Sequence, residues 1–213
     1  MIQSVKLLAI ACVTTVFVFS GCAKKPEQKP VPRDPALAIS CVGVMPVQAA
    51  VDVSSAMSFA QAKQLKEGAT IMDALLKKKF AGRREFRFVN PAQVYGLDVD
   101  GEGSRLGSLQ KIAEQMSCNA MLEISISRFS DRVGGEYTAK DPASVAFQYR
   151  LYEVGEGKIL CQGSFDEVQQ SLMENLYNWK SARSRGFTWI TSEQLLQEGI
   201  DEKFSQCGYL LEP

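Results

Sequence analysis

The stretch from Val145 to Phe165 constrains the fold of this 213-residue chain more than any other. Val145, Phe147, Tyr149 and Leu151 alternate with polar or small residues, Gly155 to Lys158 offers a turn, and Ile159 to Phe165 returns as a second apolar-rich run. Alternation sends every second side chain to the same face, so the two runs read as a hairpin with one face to bury. The rest of the chain has to supply the cover and the neighbouring strands.

Ala120 to Phe129 repeats the alternation, with Leu122, Ile124 and Ile126 on one face, and Ile39 to Val47 reads as a buried β-branched strand closed by Pro46. A short strand at Phe86 to Val89 ends at Asn90-Pro91. Leu65, Ala69, Met72, Leu76 and Phe80 recur at helical spacing, with Lys77 to Lys79 placed where cations suit the helix dipole. Leu109, Ile112, Ala113 and Met116 form the stripe of a second helix. Asp166 to Tyr177 also reads as helical. A last helix starts at Thr191, where Gln194 completes a capping box and Ile190 is placed to staple onto Leu195. Leu196, Ile200 and Phe204 give that helix its apolar face, and Gly208 reads as its stop. The expected fold class is therefore α/β: a mixed-sheet sandwich of order βαβαβββ followed by carboxyl-terminal helices.

The amino terminus reads as an address. Leu7 to Phe19 is a run of thirteen mostly apolar residues after a short head carrying Lys6. That is less than the roughly 20 residues of a membrane-spanning helix, and it matches the apolar region of a secretory signal. The run ends in Phe19-Ser20-Gly21-Cys22, which resembles the lipobox of bacterial lipoproteins, with Phe19 where leucine is usual. The resemblance implies that residues 1–21 are a signal peptide and that the Cys22 thiol receives a diacylglycerol. Cleavage would follow Gly21, and the new amine would be acylated. At ~0.8 kcal/mol per buried methylene, several chains hold a protein stably to one leaflet. Ala23 stands where an aspartate would signal retention, so the implied address is the periplasmic face of the outer membrane.

Residues 23–37 (AKKPEQKPVPRDPAL) hold four of the eight prolines and read as an extended tether. At ~3.1 Å per residue it reaches about 45 Å. Residues 38–213 are then expected to form a single periplasmic domain.

The lipobox, a first strand ending in proline, a helix leading into F-R-F-V at Phe86 to Val89, and L-Y-E-V-G-E-G-K-I-L at Leu151 to Leu160 carry a second resemblance. They are similar to the group of envelope lipoproteins that holds the activator of penicillin-binding proteins and the curli secretion lipoprotein. The amino-terminal domain of the Tol translocation protein shares that fold. The similarity runs over roughly Ile39 to Phe165. It implies an accessory protein rather than an enzyme, but not a curli-type pore, which needs membrane strands of about 9–11 residues that the loops here do not offer.

The chain has no histidine, which removes the commonest general base, the usual partner of a nucleophilic serine or cysteine, and the commonest zinc ligand. Lysine plus arginine equals aspartate plus glutamate at 24 each, so no basic excess favours nucleic acid. Asp98-x-Asp100-x-Glu102-Gly103-Ser104 copies the first half of a calcium loop, but Leu109 stands where the bidentate glutamate belongs. It reads as an acidic turn, and no metal or cofactor is expected. Cys41, Cys118, Cys161 and Cys207 lie in the part destined for an oxidising compartment and contain no C-x-x-C. A Cys41–Cys207 bridge would tie the last helix to the sheet and is preferred over Cys41–Cys118 or four free thiols, with Cys161 read as a small apolar residue. The connector from Trp179 to Trp189 holds both tryptophans and three basic residues, a mixture enriched at binding hot spots. Trp179, Lys180, Arg183, Arg185, Phe187 and Trp189 are the candidate partner-contacting residues, unless Phe187 and Trp189 pack beneath the last helix. The expected function is thus a non-enzymatic, lipid-anchored adaptor or assembly factor that binds an envelope protein or a second copy of itself. The alternative is a periplasmic enzyme or ligand-binding module acting on peptidoglycan or lipid.

Overall fold

The computed structural model describes residues 29–35, 37–50, 57–95, 105–170 and 188–211. Along the chain these form β1 (Val42–Val44), β2 (Gln48–Ala49), α1 (Phe59–Lys79), β3 (Phe86–Phe88), α2 (Pro91–Tyr95) and α3 (Arg105–Met116). There follow β4 (Ala120–Ser130), β5 (Val133–Gly134), β6 (Ala139–Asp141), β7 (Ser144–Glu153), β8 (Ile159–Val168) and α4 (Ser192–Phe204). The main sheet runs β3-β1-β4-β7-β8, and β2 pairs with β4 beyond β1. β1 is parallel to both β3 and β4, so helices make the two crossovers, as parallel neighbours require. β4, β7 and β8 are antiparallel, the hairpin expected from alternation.

The first strand departs from expectation in a way Pro46 explains. β1 and β2 both lie along β4, with Val44 opposite Leu122 and Gln48 opposite Ser125, so the chain gains one residue between them. Proline has no N–H for the ladder, and the strand breaks around it before resuming for two residues.

One face of the sheet is fully covered. Leu65, Ala69, Met72 and Leu76 of α1 and Leu195, Leu196, Ile200 and Phe204 of α4 bury against Leu122, Ile124, Ile126, Phe147, Tyr149 and Leu151. Both helices start in capping boxes, at Ser58 with Gln61 and at Thr191 with Gln194. Phe80, at the end of α1, stacks on Phe86 at 3.9 Å between ring centroids. Burial pushes the Tyr149 hydroxyl up to about 12, and this hydroxyl donates to the Lys203 carbonyl at 3.1 Å. A glycine in mid-helix costs about 1 kcal/mol relative to alanine, yet Gly199 sits where a Cβ would come within 2.7 Å of the Phe165 ring, so the close approach of α4 to β8 depends on it.

Among the described residues, the opposite face is covered only near the start of β4. There Leu109, Ile112 and Ala113 of α3 pack on Met45, Val89, Met121 and Val154. Farther along, Gln148, Arg150, Gln162 and Ser164 leave it exposed and polar.

Three expectations are corrected. The helix expected from Asp166 does not begin there: Asp166 to Val168 prolong β8, paired with Val145, Ala146 and Ser144 of β7. Acidic residues looked like a helix start, but they occupy an exposed strand end. The turn between β4 and β7 contains a hairpin, β5 with β6, that alternation in so short a stretch did not reveal. Its strands are two and three residues long, far short of a membrane strand. Finally, the bridges are Cys41–Cys118 and Cys161–Cys207, not Cys41–Cys207. Because Val42 lies opposite Ala120, Cys41 meets the residue that leads into β4, with 4.5 Å between Cα atoms. The end of α4 instead lies over β8, where Cys161 faces inward and meets Cys207 at 5.9 Å. Cys161 is buried as expected, but as half of a bridge.

Candidate functional site

β4 spans the domain from end to end. The ten steps between its eleven residues, at ~3.3 Å each, separate two poles by about 33 Å.

At the pole where β4 starts, residues 31–34, which fall within the stretch expected to be a free tether, are fastened to the domain. Val31 makes a parallel bridge with Cys207: its N–H donates to the Gln206 carbonyl at 2.8 Å, and its carbonyl accepts from the Gly208 N–H at 2.9 Å. Arg33 donates to the carbonyls of Gly208 and Leu211, and the Asp34 N–H donates to the Tyr209 hydroxyl. Arg83, from the loop before β3, donates to the carbonyls of Leu210 and Leu211. Gly208 is therefore not a helix stop, since α4 ends at Phe204 with Ser205 as its cap. Its value is space, because a Cβ there would come within 2.9 Å of the Val31 carbonyl. The carboxyl of Glu85 is held below its ordinary value by its own backbone N–H, by the Arg83 side chain, and more weakly by the charges of Arg83 and Arg33. Behind this strap, Asn119 accepts from the Ser40 and Cys41 N–H groups and donates to the Ala38 carbonyl, beside the Cys41–Cys118 bridge.

The other pole, where β4 ends, is grooved. A groove of about 550 Å³ runs between α4 and the β5–β6 hairpin, with Arg132, Glu136, Trp189, Gln194 and Gln197 among its walls. A second groove of about 400 Å³ lies between the start of α1 and the end of β4, lined by Met57, Gln64, Leu65, Arg128 and Phe129 among others. Two aromatic side chains stand out into solvent at this pole, Phe59 at 87% exposed and Tyr137 at 77%. Its fixed points are single side chains. The buried Gln169 amide donates to the Thr188 carbonyl and accepts from the Ile190 N–H, joining the residues on either side of segment 171–187. Asp131 accepts from the Ser192 N–H, the Trp189 N–H donates to the Glu136 carbonyl, and Arg132 donates to the Trp189 carbonyl.

Of the residues singled out in the sequence, Cys22, Trp179, Lys180, Arg183, Arg185 and Phe187 lie outside the described residues, as does the acidic turn from Asp98 to Ser104. Trp189 is described. It is half-buried and forms part of a groove wall instead of packing wholly beneath α4. Gln169 was missed because it fell inside the expected helix, and a lone glutamine carries no pattern. Among the described residues, no cluster of three or more acidic or cysteine side chains is arranged to hold a metal, and no helix is long and apolar enough to cross a membrane.

No protein-family model matches the sequence, and no curated protein matches it. Among solved structures, the chain is similar to the PelC dodecamer from Paraburkholderia phytofirmans, at 13% identity and a TM-score of 0.43, over 81% of this chain and 90% of that one. It is similar also to the LpoB C-terminal domain from Salmonella enterica, at 16% identity and a TM-score of 0.35, over 63% and 87%. A third is the lipoprotein GNA1162 from Neisseria meningitidis, at 16% identity and a TM-score of 0.39, over 69% and 98%.

Proposed function

We propose that this protein is a non-enzymatic lipoprotein of the bacterial outer membrane, anchored through Cys22 on the periplasmic side, whose grooved pole binds an envelope protein. The observation that carries this reading is the polarity of the domain. The chain coming from the lipobox is fastened at one pole, and the grooves, the exposed aromatics, Trp189 and the Gln169 and Thr188 that flank segment 171–187 lie at the other. Trp179, Lys180, Arg183, Arg185, Phe187 and Trp189 are proposed to supply the contacts. The side-chain chemistry of the described residues favours binding over catalysis. Four cysteines are consumed in bridges, Arg128 is paired with Asp166, and Arg132 and Asp131 hold backbone groups.

The fastened strap also bounds the reach. Nine residue steps separate Cys22 from Val31, about 28 Å at ~3.1 Å per step, in place of the 45 Å expected of a wholly free tether. With the domain's own length of about 33 Å, the grooved pole stays within roughly 60 Å of the bilayer. The partner is accordingly proposed to lie at or near the outer membrane, or to be another copy of this chain.

Two experiments test the reading. Cys22→Ser should abolish palmitate incorporation and leave the heavier precursor, and unchanged incorporation would sink the anchor. In-cell crosslinking from positions 180, 183 and 185 should capture the partner. Gln64, on the first helix, is no control, because it lines a groove at the same pole. Lys158, in the turn before β8, serves instead, and capture from Lys158 alone would overturn the proposed surface.

A further inference from the structure

We propose that the strap pole is a membrane-docking surface that lies on the anionic phospholipid headgroups beside the anchor. From Lys77 to Arg87 the sequence reads KKKFAGRREFR, with six basic residues against Glu85, a local balance of 6 − 1 = +5 in a chain balanced overall. The fold carries this run along the end of α1, the following loop and the edge strand β3, next to the strap. The strap adds Lys29 and Arg33, both exposed.

Part of that charge is held within the domain, where Arg87 also donates to the Met116 carbonyl. Arg83 is paired with Glu85 and Lys79 with Asp201, while Lys78 and Arg84 are exposed and make no ion pair with a described residue. Lys77 faces only the half-buried Asp73 one turn back. Val31 and Leu211, two of the exposed apolar side chains of the domain, flank the basic run. Headgroup surfaces take this combination of cations and small apolar contacts. At the far pole, Arg128, Arg132 and Lys140 stand against Asp131, Glu136, Asp141, Asp166 and Glu167, a balance of 3 − 5 = −2. Among these described residues the basic groups thus gather at the strap end. An overall balance of zero does not show this local clustering.

The geometry rests on the proposed anchor, which keeps Val31 within about 28 Å of Cys22. Docking the basic pole turns the grooves toward the periplasm, where a protein partner can reach them.

The test uses the full lipidated chain reconstituted into vesicles of phosphatidylcholine alone or with about 30 mol % phosphatidylglycerol. Lysines are acetylated briefly and the peptides quantified. On the anionic vesicles Lys29, Lys77 and Lys78 should label several-fold more slowly than on neutral ones, and Lys140 at the same rate. The difference should collapse in about 0.5 M salt, where screening acts over ~4 Å. Joint replacement of exposed groups, Lys77→Gln, Lys78→Gln and Arg84→Gln, should abolish the protection of Lys29 with only a small fall in melting temperature. Equal labelling on both vesicles, or protection at Lys140, overturns the proposal. The mass of the Cys22 peptide reports the acyl chains separately. A bare Cys22 overturns the anchor, while the footprint on added anionic vesicles still decides the surface.

Discussion

At the strap pole a backbone bridge, two arginines, a tyrosine hydroxyl and two disulfides hold together segments from both ends of the described chain. At the grooved pole the corresponding work falls to Gln169, Asp131 and Arg132, one side chain for each junction, and apolar groups remain exposed. A domain fixed at one end can present a surface at the other without fraying where it is pulled. The contrast also separates what resists unfolding from what is available to bind. Covalent and backbone links concentrate where the tether enters, and adaptable side chains concentrate where it does not.

The largest expected effect comes from breaking the covalent side of this comparison. The Cys161–Cys207 bridge closes 46 residues and joins β8 to the segment that carries the strap. Replacing both cysteines with alanine should cost about 4 kcal/mol in chemical denaturation, from the loop-closure entropy restored to the unfolded chain. The Cys41–Cys118 bridge spans 77 residues. By the logarithm of loop length its loss should cost about 0.5 kcal/mol more. Losses under about 1 kcal/mol for both pairs would show that the noncovalent contacts already suffice.

Next in size is Gln169→Ala. It strips the buried partner from the Ile190 N–H and the Thr188 carbonyl together. Leaving such groups unpaired costs about 1–3 kcal/mol, and hydrogen exchange should locate the opening at Ile190 and the start of α4 with the strap still protected. Uniform loss of protection across both poles would show that the two regions are not separable.

Much of the fold could be read from the sequence, for reasons that are physical. β4, β7 and β8 bury one face, so each wrote its alternation directly into the chain, and the capping box at Thr191 is local chemistry within four residues. The strap left no comparable trace. Val31 and Arg33 sit in a proline-rich stretch and depend on residues 206–211, which no local window contains. The bridges failed for the same reason, since pairing follows from which strands are neighbours. The end of β8 was misread because Asp166 and Glu167 satisfy the acid preference of a helix start while sitting on a solvent-facing edge. Of the candidate partner-contacting residues only Trp189 lies among the described ones, on the wall of a groove. Gln169, which joins the residues on either side of segment 171–187, is one polar residue whose role exists only after folding.

Arg33→Ala sharpens the comparison from the other direction. It removes two hydrogen bonds from an exposed guanidinium to the Gly208 and Leu211 carbonyls, both of which can turn to water. The cost should be about 1 kcal/mol, read as faster exchange at residues 206–211 with little change in global stability. If the melting temperature falls as far as in the Gln169 variant, the strap is part of the core and not a fastening laid over it.

The smallest effect concerns pH and places Asp73, midway between the poles, against Glu85 at the strap. Burial raises the Asp73 pKa above its ordinary 3.8, against the lowering effects of the Val47 N–H, which donates to it at 3.0 Å, and of Lys77. Below pH 3.8 the group is protonated whether the chain is folded or not, and it costs nothing. As pH rises through the raised folded pKa, the unfolded chain releases the proton more readily, so this group's contribution falls and remains unfavourable above it. Glu85 has the opposite sign. Its folded pKa is lowered from 4.5, so its contribution is full above 4.5 and is lost as pH falls through the folded value. Asp73→Asn keeps an acceptor for the Val47 N–H and removes the titration. The variant should therefore gain on the parent as pH rises from about 3 to about 6, whereas Glu85→Gln should lose ground over the same interval. Denaturation curves that stay parallel to the parent at every pH would show that neither carboxyl contributes, and that acid treats the two regions alike.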